Sequence, residues 1–146
     1  MYIRPMVIND YKQVYSLWLN TPNMGLNNVD DSKEGIQKYL LRNPTTCFVA
    51  EQNKEIIGVI LSGHDGRRGY IHHTAVLAKF QQQGIGARLV DAAMSALEKE
   101  GITKVALVVF EKNQNGNLFW EKLGFTARND LVYRNKAVSH LIRYDT

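Results

Sequence analysis

Two glycines just before the strongest helical pattern are the residues of this sequence best placed to bind a ligand. Gly84 and Gly86 lie in the segment Gln81-Gln82-Gln83-Gly84-Ile85-Gly86-Ala87, between a strand-like run and a long amphipathic run. The start of a helix offers unpaired N–H groups and the positive end of the helix dipole, and glycine lets a bulky anion approach the backbone. The segment therefore suits a pyrophosphate. The same glycines would also suit a tight entry into the helix with no ligand, so the segment alone leaves both interpretations open.

Two common nucleotide-binding patterns do not fit this segment. A P-loop needs Lys and then Ser or Thr after its last glycine, whereas Ala87-Arg88 follows here. A dinucleotide-binding turn needs a third glycine, where Leu89 stands, and a shorter connection than residues 78–83. Glu111, at the end of the next apolar run, could take the place of the ribose-binding acid, but it does not repair either mismatch.

The apolar patterns predict the elements that position this segment. Periods near 3.6 indicate helices, and β-branched runs bounded by polar turns indicate strands. In chain order we predict a strand over 2–6, helices from about residues 10 and 32, strands over 47–51, 56–62 and 70–77, a helix from 85 that ends at Gly101, strand 104–110, helix 115–122, and a strand over 138–144 that closes the chain after Phe125. The result is an α/β (α+β) fold with a mostly antiparallel front half and one crossover helix that leads to a parallel neighbour. Strand 104–110 is almost continuously apolar, which predicts cover on both faces.

Composition excludes several classes of protein. The 146 residues are 45% hydrophobic with 11 Gly and 3 Pro, which excludes disorder and collagen-like repeats and favours one domain over residues 1–146. The single Cys47, within an apolar run, predicts a buried inert thiol rather than a disulfide. With no apolar run of 18 residues we expect a cytoplasmic protein without a membrane span. The net charge of +4 comes from scattered Lys and Arg residues, so we expect no nucleic-acid partner.

Two motifs together resemble the GNAT superfamily of N-acetyltransferases. Gln81-x-x-Gly84-x-Gly86 is similar to its acetyl-CoA pyrophosphate motif, and Asn113-x-x-Gly116-x-x-Phe119-Trp120-x-x-x-Gly124-Phe125 is similar to its downstream segment. The resemblance implies a mixed, mostly antiparallel sheet of about six to seven strands with about four helices and two splayed parallel central strands. It also implies transfer of acetyl from acetyl-CoA to a primary amine of a small molecule or peptide, by direct attack in a ternary complex. No metal is expected, and the protein would be a monomer or homodimer.

The resemblance also assigns roles to particular residues. The backbone of Ala75, Val76 and Leu77 would pair with the pantetheine arm, and the Val76 N–H would stabilise the oxyanion. Asn113 would bind the cofactor arm from the segment that contains Gly116. Phe119 and Trp120 would lie near the thioester, although both also suit simple helix packing. The residues that would bind the pyrophosphate are Gln81, Gln82, Gln83, Gly84, Ile85, Gly86 and Ala87.

The groups that move protons are less clear in the sequence. A protonated amine must lose a proton before it attacks, and His73 and Glu111 are the predicted bases. The resemblance also implies a β-bulge, and His72 and His73 lie on the strand that leads into it. Neighbouring side chains on a strand point to opposite faces, so at most one of the two would face the acceptor. Trp120 departs from the tyrosine that many family members use as the acid, and an indole cannot be that acid. A non-catalytic CoA-binding or regulatory module is therefore the alternative function.

The acceptor site is predicted from the first two helices and the loop between them, which usually wall it in this superfamily. The loop mixes apolar, amide and acidic side chains, which suits a neutral or cationic amine. A solvated loop would have the same composition. The predicted acceptor-binding residues are Trp18, Leu26, Asn27 and Asn28.

Overall fold

The computed structural model describes residues 1–144 and shows a central five-stranded sheet with α-helices packed against it. The elements are, in chain order, β1 (Tyr2–Pro5), α1 (Tyr11–Leu19), β2 (Leu26–Asn27), α2 (Lys33–Arg42), β3 (Phe48–Gln52), β4 (Glu55–His64), β5 (Gly69–Val76), α3 (Ile85–Lys99), β6 (Val105–Ala106), α4 (Gln114–Lys122) and β7 (Arg143–Tyr144), with 3₁₀ turns at Ile8–Asp10 and Ala78–Phe80.

The sheet has the order β1-β3-β4-β5-β6. Its first four strands are antiparallel, and β6 joins β5 in parallel after the crossover through α3. The strands β2 and β7 form a separate antiparallel pair. The predicted fold class is thereby confirmed: a mixed, mostly antiparallel architecture with four α-helices and two parallel strands, β5 and β6, of which β6 is at the edge of the sheet.

The strands β3 and β4 form a hairpin with a two-residue turn. Asn53 and Lys54 both have positive φ, at 52° and 65°. Two residues with positive φ are what a type I′ turn requires, and this turn matches the twist of the strands that it joins. The hairpin fixes the register of β4, which in turn carries β5.

Two predicted strands in the last third of the chain are shorter in the structure than expected. Of residues 104–110, only Val105–Ala106 pairs with β5, and Val108 is 58% exposed, so this run is not covered on both faces. The run is apolar because alternate residues pack inward where β6 leaves β5, a situation that composition alone does not separate from a buried strand. The closing strand is limited to Arg143–Tyr144, and it pairs with Leu26–Asn27 rather than with the five-stranded sheet.

Two apolar cores lie on the two faces of the sheet. One contains residues of α1 and α2, with Trp18, Ile36 and Val59 among its buried members. The other contains Ile57, Ile60 and residues of α3. Adjacent residues of β4 therefore face different cores, so this strand is the centre of the molecule. Within residues 1–144 the structure has no helix that is long and apolar enough to cross a membrane.

The reactivity of the Cys47 thiol tests this packing. Its side chain is buried in the core on the α1 side, and its Sγ donates to the Ser62 carbonyl oxygen at 3.2 Å. Burial raises the pKa of this thiol to about 12. We expect the native protein to be unreactive towards a chromogenic thiol reagent at pH 8 and to release one equivalent of product after unfolding in urea, because the thiolate is the reactive form. Fast reaction of the folded protein would contradict this burial.

Candidate functional site

The parallel strands β5 and β6 separate along their length. They are paired only at Gly69 with Val105 and at Tyr70 with Ala106. Beyond these two pairs, residues 71–76 and 107–110 have no register with each other. The sheet therefore opens into a V-shaped gap towards the end of β5, and a backbone that faces this gap is free to pair with something other than a strand.

The N–H of Val76 faces this gap. The Leu77 N–H donates to the Ile57 carbonyl oxygen at 2.9 Å, which makes that position a hydrogen-bonded pair between β5 and β4. Hydrogen-bonded and non-bonded pairs alternate along an antiparallel ladder. Val76, opposite Gly58, is therefore a non-bonded position whose N–H and C=O point away from β4. Its N–H is available to a ligand in the gap.

The neighbours of Val76 are already engaged. The same alternation makes Ala75, opposite Val59, a hydrogen-bonded position towards β4, and Leu77 has used its N–H as described above. The Val76 carbonyl oxygen accepts a bond from Gln81 Nε2 at 3.0 Å. Of the three residues that we expected to pair with pantetheine, Val76 is thus the one with a backbone N–H that points into the gap.

The connection from β5 to α3 presents a series of unpaired N–H groups. The first backbone hydrogen bond at this end of α3 runs from the Arg88 N–H to the Gly84 carbonyl oxygen, at 3.1 Å. No acceptor within residues 1–144 bonds the six preceding N–H groups, from Gln82 to Ala87. Gln82 and Gly84 have positive φ, at 60° and 81°, so the backbone here curves as it does in anion-binding nests. The predicted pyrophosphate segment therefore has the form of an anion site, which we call the amide cradle (residues 82–87).

The amide cradle, α4 and the end of β5 meet at one point. A Cβ at Gly86 would lie 3.0 Å from the Phe119 ring and 3.9 Å from Cγ2 of Val76. Gly86 thus allows α3 to begin directly against Phe119. Trp120 packs edge-on against Phe119 and Phe125, with ring centroids 5.0 and 5.1 Å away. Both aromatic side chains pack against the core on the α3 side, and Phe119 is the one next to Gly86.

Asn113 has a structural role that its motif did not reveal. Its Oδ1 accepts from the Gly116 N–H at 2.9 Å and thereby caps the N-terminus of α4. A Cβ at Gly116 would lie only 2.4 Å from Nδ2 of Asn113, so a glycine leaves room for this cap. Nδ2 has no hydrogen-bonding partner within the described part of the chain. The predicted bond from Asn113 to the cofactor arm can therefore use this donor.

A β-bulge in β5 changes the geometry expected for the two histidines. Val59 pairs with Ala75 and Leu61 with His72, so His73 and the residue after it both lie opposite Ile60. His73 has a φ of 29°, and its ring centroid lies 6.2 Å from that of His72. The expectation that these neighbouring side chains point to opposite faces is wrong, because the bulge interrupts the alternation.

Three contacts hold His73 in place on the α1 side of the sheet. The buried Trp18 donates Nε1–H to the His73 carbonyl oxygen at 3.1 Å, and the two rings pack edge-on at 5.1 Å. The His73 Nε2 lies 2.7 Å from Oδ1 of Asp31, whose other oxygen accepts from the Asn27 N–H at 2.8 Å. The side chain of His73 keeps 17% of its surface exposed, whereas that of Asp31 keeps 4%. A buried carboxylate therefore supports a partly accessible imidazole.

His72 has a more open position. Its ring contacts the rings of Tyr39 from α2 and Tyr70 from β5, at centroid distances of 5.7 and 4.6 Å. The residue is exposed to solvent although protein surrounds it, which is typical of a side chain that lines a cleft. Desolvation by this surrounding protein, and then the neighbouring His73, lower the pKa of His72 to about 4.

We expect the His72 ring to titrate with a midpoint near pH 4 rather than near 6.5, the ordinary histidine value. Because the unfolded chain gains this proton first, His72 is expected to make folding less favourable as the pH falls from about 6.5 towards 4. Two-dimensional NMR of the imidazole carbon protons, with His72→Gln to assign the signal, measures the midpoint. A midpoint near 6.5 would show that the surrounding protein does not lower the pKa of this ring.

Glu111, the other predicted base, lies on the surface. It lines an open depression of about 430 Å³ together with Phe110 and Lys112. Its carboxylate is exposed and makes no hydrogen bond or ion pair within residues 1–144. Nothing orients this group, whereas His73 has a fixed position.

The predicted acceptor-binding residues divide into two classes. Trp18 and Leu26 are fully buried, so they lie beneath the surface of the candidate site. Asn27 folds the loop, since its Oδ1 accepts the N–H groups of Val29 and Asp30. Asn28 is exposed and bonds the backbone of residue 142, with its N–H and its Oδ1. The two asparagines therefore shape the surface that an acceptor would meet.

Asp31 is the site residue whose role the sequence did not reveal. It lies 42 positions before His73, in a loop where Asp30 is equally acidic, and no local pattern distinguishes the two. The structure distinguishes them, because Asp31 is buried against His73 and Asp30 is exposed. Within residues 1–144 no group of three His, Cys, Asp or Glu side chains is arranged to hold a metal ion.

The chain is similar to known acetyltransferases. The model of the acetyltransferase (GNAT) family matches residues 11–125. A curated acetyltransferase of Photorhabdus laumondii is 31% identical over 131 residues, which cover 88% of this chain and 89% of the relative.

Solved structures share the fold at lower identity. An aminoglycoside acetyltransferase from an uncultured soil metagenomic sample, in complex with sisomicin, has a TM-score of 0.72 and 22% identity, with 94% of this chain and 96% of that chain covered. A predicted acetyltransferase of Clostridium acetobutylicum, with acetyl-CoA, has a TM-score of 0.69 and 18% identity, with 92% and 95% covered.

Proposed function

Because the chain belongs to the acetyltransferase (GNAT) family, we propose that it transfers an acetyl group from acetyl-CoA to a primary amine. The observation that carries this proposal is the combination of the amide cradle with the unpaired Val76 N–H, at the two ends of one short connection. The cradle suits the two charged phosphates of CoA, and the gap beyond it suits the pantetheine arm as an added strand. The acetyl-CoA in the structural neighbour from Clostridium acetobutylicum supports the same choice of acyl donor.

The Val76 N–H supplies the electrostatic part of the reaction. When an amine adds to the thioester carbonyl carbon, negative charge develops on the carbonyl oxygen, and a fixed N–H donor stabilises it. The C–N bond forms, the C–S bond breaks, and the electron pair leaves with the sulfur of CoA. No acyl-enzyme is needed, because acceptor and donor are bound together.

The proton balance requires a base for the amine. An ammonium group must lose one proton to become a nucleophile, and His73 is the proposed acceptor of this proton because it is fixed beside the bulge and partly accessible. Trp120 has no acidic proton in the useful range. The sulfur therefore leaves as a thiolate. The nitrogen must lose a second proton once it has bonded to the carbonyl carbon, and the thiolate takes up this proton directly or through water.

The acceptor would be a neutral or cationic amine of a small molecule or peptide. The loop carboxylates are largely used within the protein, since Asp31 faces His73 and Asp30 accepts from Asn27 Nδ2 at 2.9 Å. These two carboxylates are therefore less available to bind a polycationic acceptor than the loop composition suggests. The complex of one structural neighbour with sisomicin is the reason to include aminoglycosides among the amines tested.

The direct test is thiol release from acetyl-CoA in the presence of an amine panel. The panel contains an aminoglycoside, a polyamine, free amino acids, and peptides with a free N-terminus or a lysine. We expect one of these amines to release CoA thiol and to gain the mass of one acetyl group. The buried Cys47 adds little background to a thiol reagent.

Calorimetric titration with CoA distinguishes a protein that binds CoA without transferring acetyl from one that does not bind CoA. Tight CoA binding without thiol release from any amine would overturn the transferase proposal and favour the non-catalytic CoA-binding module. Absence of CoA binding would overturn both functions.

A further inference from the structure

The buried carboxylate of Asp31 lies next to His73 and supports a further proposal. This proposal rests on the proposed function and extends it. We propose that Asp31 is a positioning residue that fixes the tautomer of His73, so that Nδ1 presents its lone pair to the ammonium group of the acceptor. The two residues lie on different elements, the loop before α2 and the bulge of β5. Their pairing therefore depends on the folded acceptor side of the molecule.

The geometry of the pair leaves one imidazole nitrogen free. Nε2 of His73 lies 2.7 Å from Oδ1 of Asp31, and a carboxylate only accepts hydrogen bonds. Nε2 therefore carries the ring proton in the neutral imidazole. Nδ1 then holds the lone pair, and it has no hydrogen-bonding partner within residues 1–144.

The position of Asp31 is itself fixed on both sides. Its Oδ2 accepts from the Asn27 N–H at 2.8 Å, and its carbonyl oxygen accepts from the Tyr11 hydroxyl at 2.7 Å. The carboxylate is buried, so it has lost most of its water and interacts strongly with the one imidazole that it faces. This is the arrangement expected of a support for a base rather than of a surface ion pair.

The backbone strain at His73 points the same way. A non-glycine residue with a φ of 29° lies in a sparsely populated region, and such residues persist where the surrounding structure holds them. Here the Trp18 indole bonds the His73 carbonyl oxygen while Asp31 holds the ring. The chain thus fixes both the backbone and the side chain of His73, three residues before the proposed oxyanion donor Val76.

The step that this arrangement supports is a proton transfer. The ammonium group gives one proton to Nδ1 and becomes a neutral amine, and the imidazole becomes an imidazolium with its second N–H still bonded to Asp31. The charge on Asp31 stabilises this imidazolium. After C–N bond formation the nitrogen carries one further excess proton, which it loses to the CoA thiolate or to water as the C–S bond breaks. The imidazolium gives its own proton to water, and the neutral imidazole returns with the same tautomer.

The test compares Asp31→Asn with the wild type and with His73→Gln. Asparagine keeps the shape of Asp31 but can donate its amide N–H to Nε2, which favours the tautomer with the proton on Nδ1. We expect Asp31→Asn to lower kcat about tenfold or more and His73→Gln about 100-fold, which is the range of a general base. The KM values and the midpoint of thermal unfolding should change little in Asp31→Asn, since the pair keeps a hydrogen bond.

Nitrogen-15 NMR of the imidazole supplies a readout that does not need activity. We expect the wild type to show His73 protonated at Nε2 and unprotonated at Nδ1, and Asp31→Asn to lose this preference. A wild-type ring protonated at Nδ1, or an Asp31→Asn variant with wild-type kcat, would overturn the proposal, as would loss of activity in His72→Gln with none in His73→Gln. If no amine is acetylated by any variant, the proposed function fails, and the tautomer alone then decides whether Asp31 fixes His73.

Discussion

Replacing Val76 with proline is expected to lower kcat about 10²- to 10³-fold, which is the loss measured when an enzyme loses one oxyanion donor. Proline removes the N–H that faces the gap and costs no bond to β4, because Val76 is a non-bonded position opposite Gly58. The preceding Ala75 is already in a strand, the conformation that a residue before proline prefers. The measurement is kcat at saturating acetyl-CoA with the acceptor that the amine panel identifies.

The matched control for this prediction is Val76→Ala, which shortens the side chain and keeps the N–H. We expect it to retain most of the activity, with a modest loss of stability because Val76 packs partly against the core. Thermal unfolding of both variants checks that the sheet is intact. If the proline variant folds and turns over at the wild-type rate, Val76 is not the oxyanion donor.

The sequence predicted the fold well where local chemistry determines structure. The turn at Asn53-Lys54, the serine cap at Ser32 and the glycines that bracket α3 each act through their own backbone or their near neighbours. Ser32, for example, accepts from the Gly35 N–H at 3.0 Å, as expected for the start of α2. Such signals survive without any knowledge of the tertiary structure.

The last strands were harder to predict because tertiary contacts decide them. The apolar run 104–110 contains good strand formers, yet only two residues pair, because β6 leaves β5 where the gap opens. Likewise, β7 finds its partner in Leu26–Asn27, more than 100 residues earlier. Strand propensity reflects packing against neighbours, so it cannot report which neighbours are present.

The amide cradle is the part of the candidate site that the sequence predicted in shape, as a glycine-containing turn before a helix, whereas the surroundings of His73 were not predicted. The amide cradle is formed by consecutive residues, and its glycines indicate the backbone turn that Gly84 makes with a positive φ. The acceptor side is instead assembled from α1, the loop before α2 and the bulge in β5, and the bulge placed His72 and His73 on one face against the expected alternation. The resemblance implied a β-bulge in this strand but not which residues form it, and no local residue pattern places the bulge at His73.

Replacing Gly84 with alanine is expected to raise the KM for acetyl-CoA about tenfold or more. Gly84 has a φ of 81°, and its Cβ position has open space around it, so no protein atom shields this part of the amide cradle. We expect a methyl group there to take space from the bound pyrophosphate. A tenfold loss of binding corresponds to about 1.4 kcal/mol. The left-handed backbone adds a stability cost of about 1–2 kcal/mol for any residue with a Cβ.

The control for the stability cost lies at the other end of the same helix. Gly101 has a φ of 82° and also has open space around its Cβ position. Gly101→Ala should therefore lose as much stability as Gly84→Ala in urea unfolding while it keeps the wild-type KM for acetyl-CoA. A KM that rises equally in both variants would attribute the effect to strain in α3 rather than to the cradle.

A second donor separates the pyrophosphate from the rest of CoA. S-acetyl-pantetheine has the thioester and the pantetheine arm but no phosphates, so it should bind the gap beside Val76 without using residues 82–87. We expect the Gly84→Ala variant to use this short donor with the same kcat/KM as the wild type. With acetyl-CoA, its kcat/KM should be lower than that of the wild type. An equal loss with both donors would show that Gly84 acts on the thioester end of the site, and the six unpaired N–H groups of the cradle would then need another ligand.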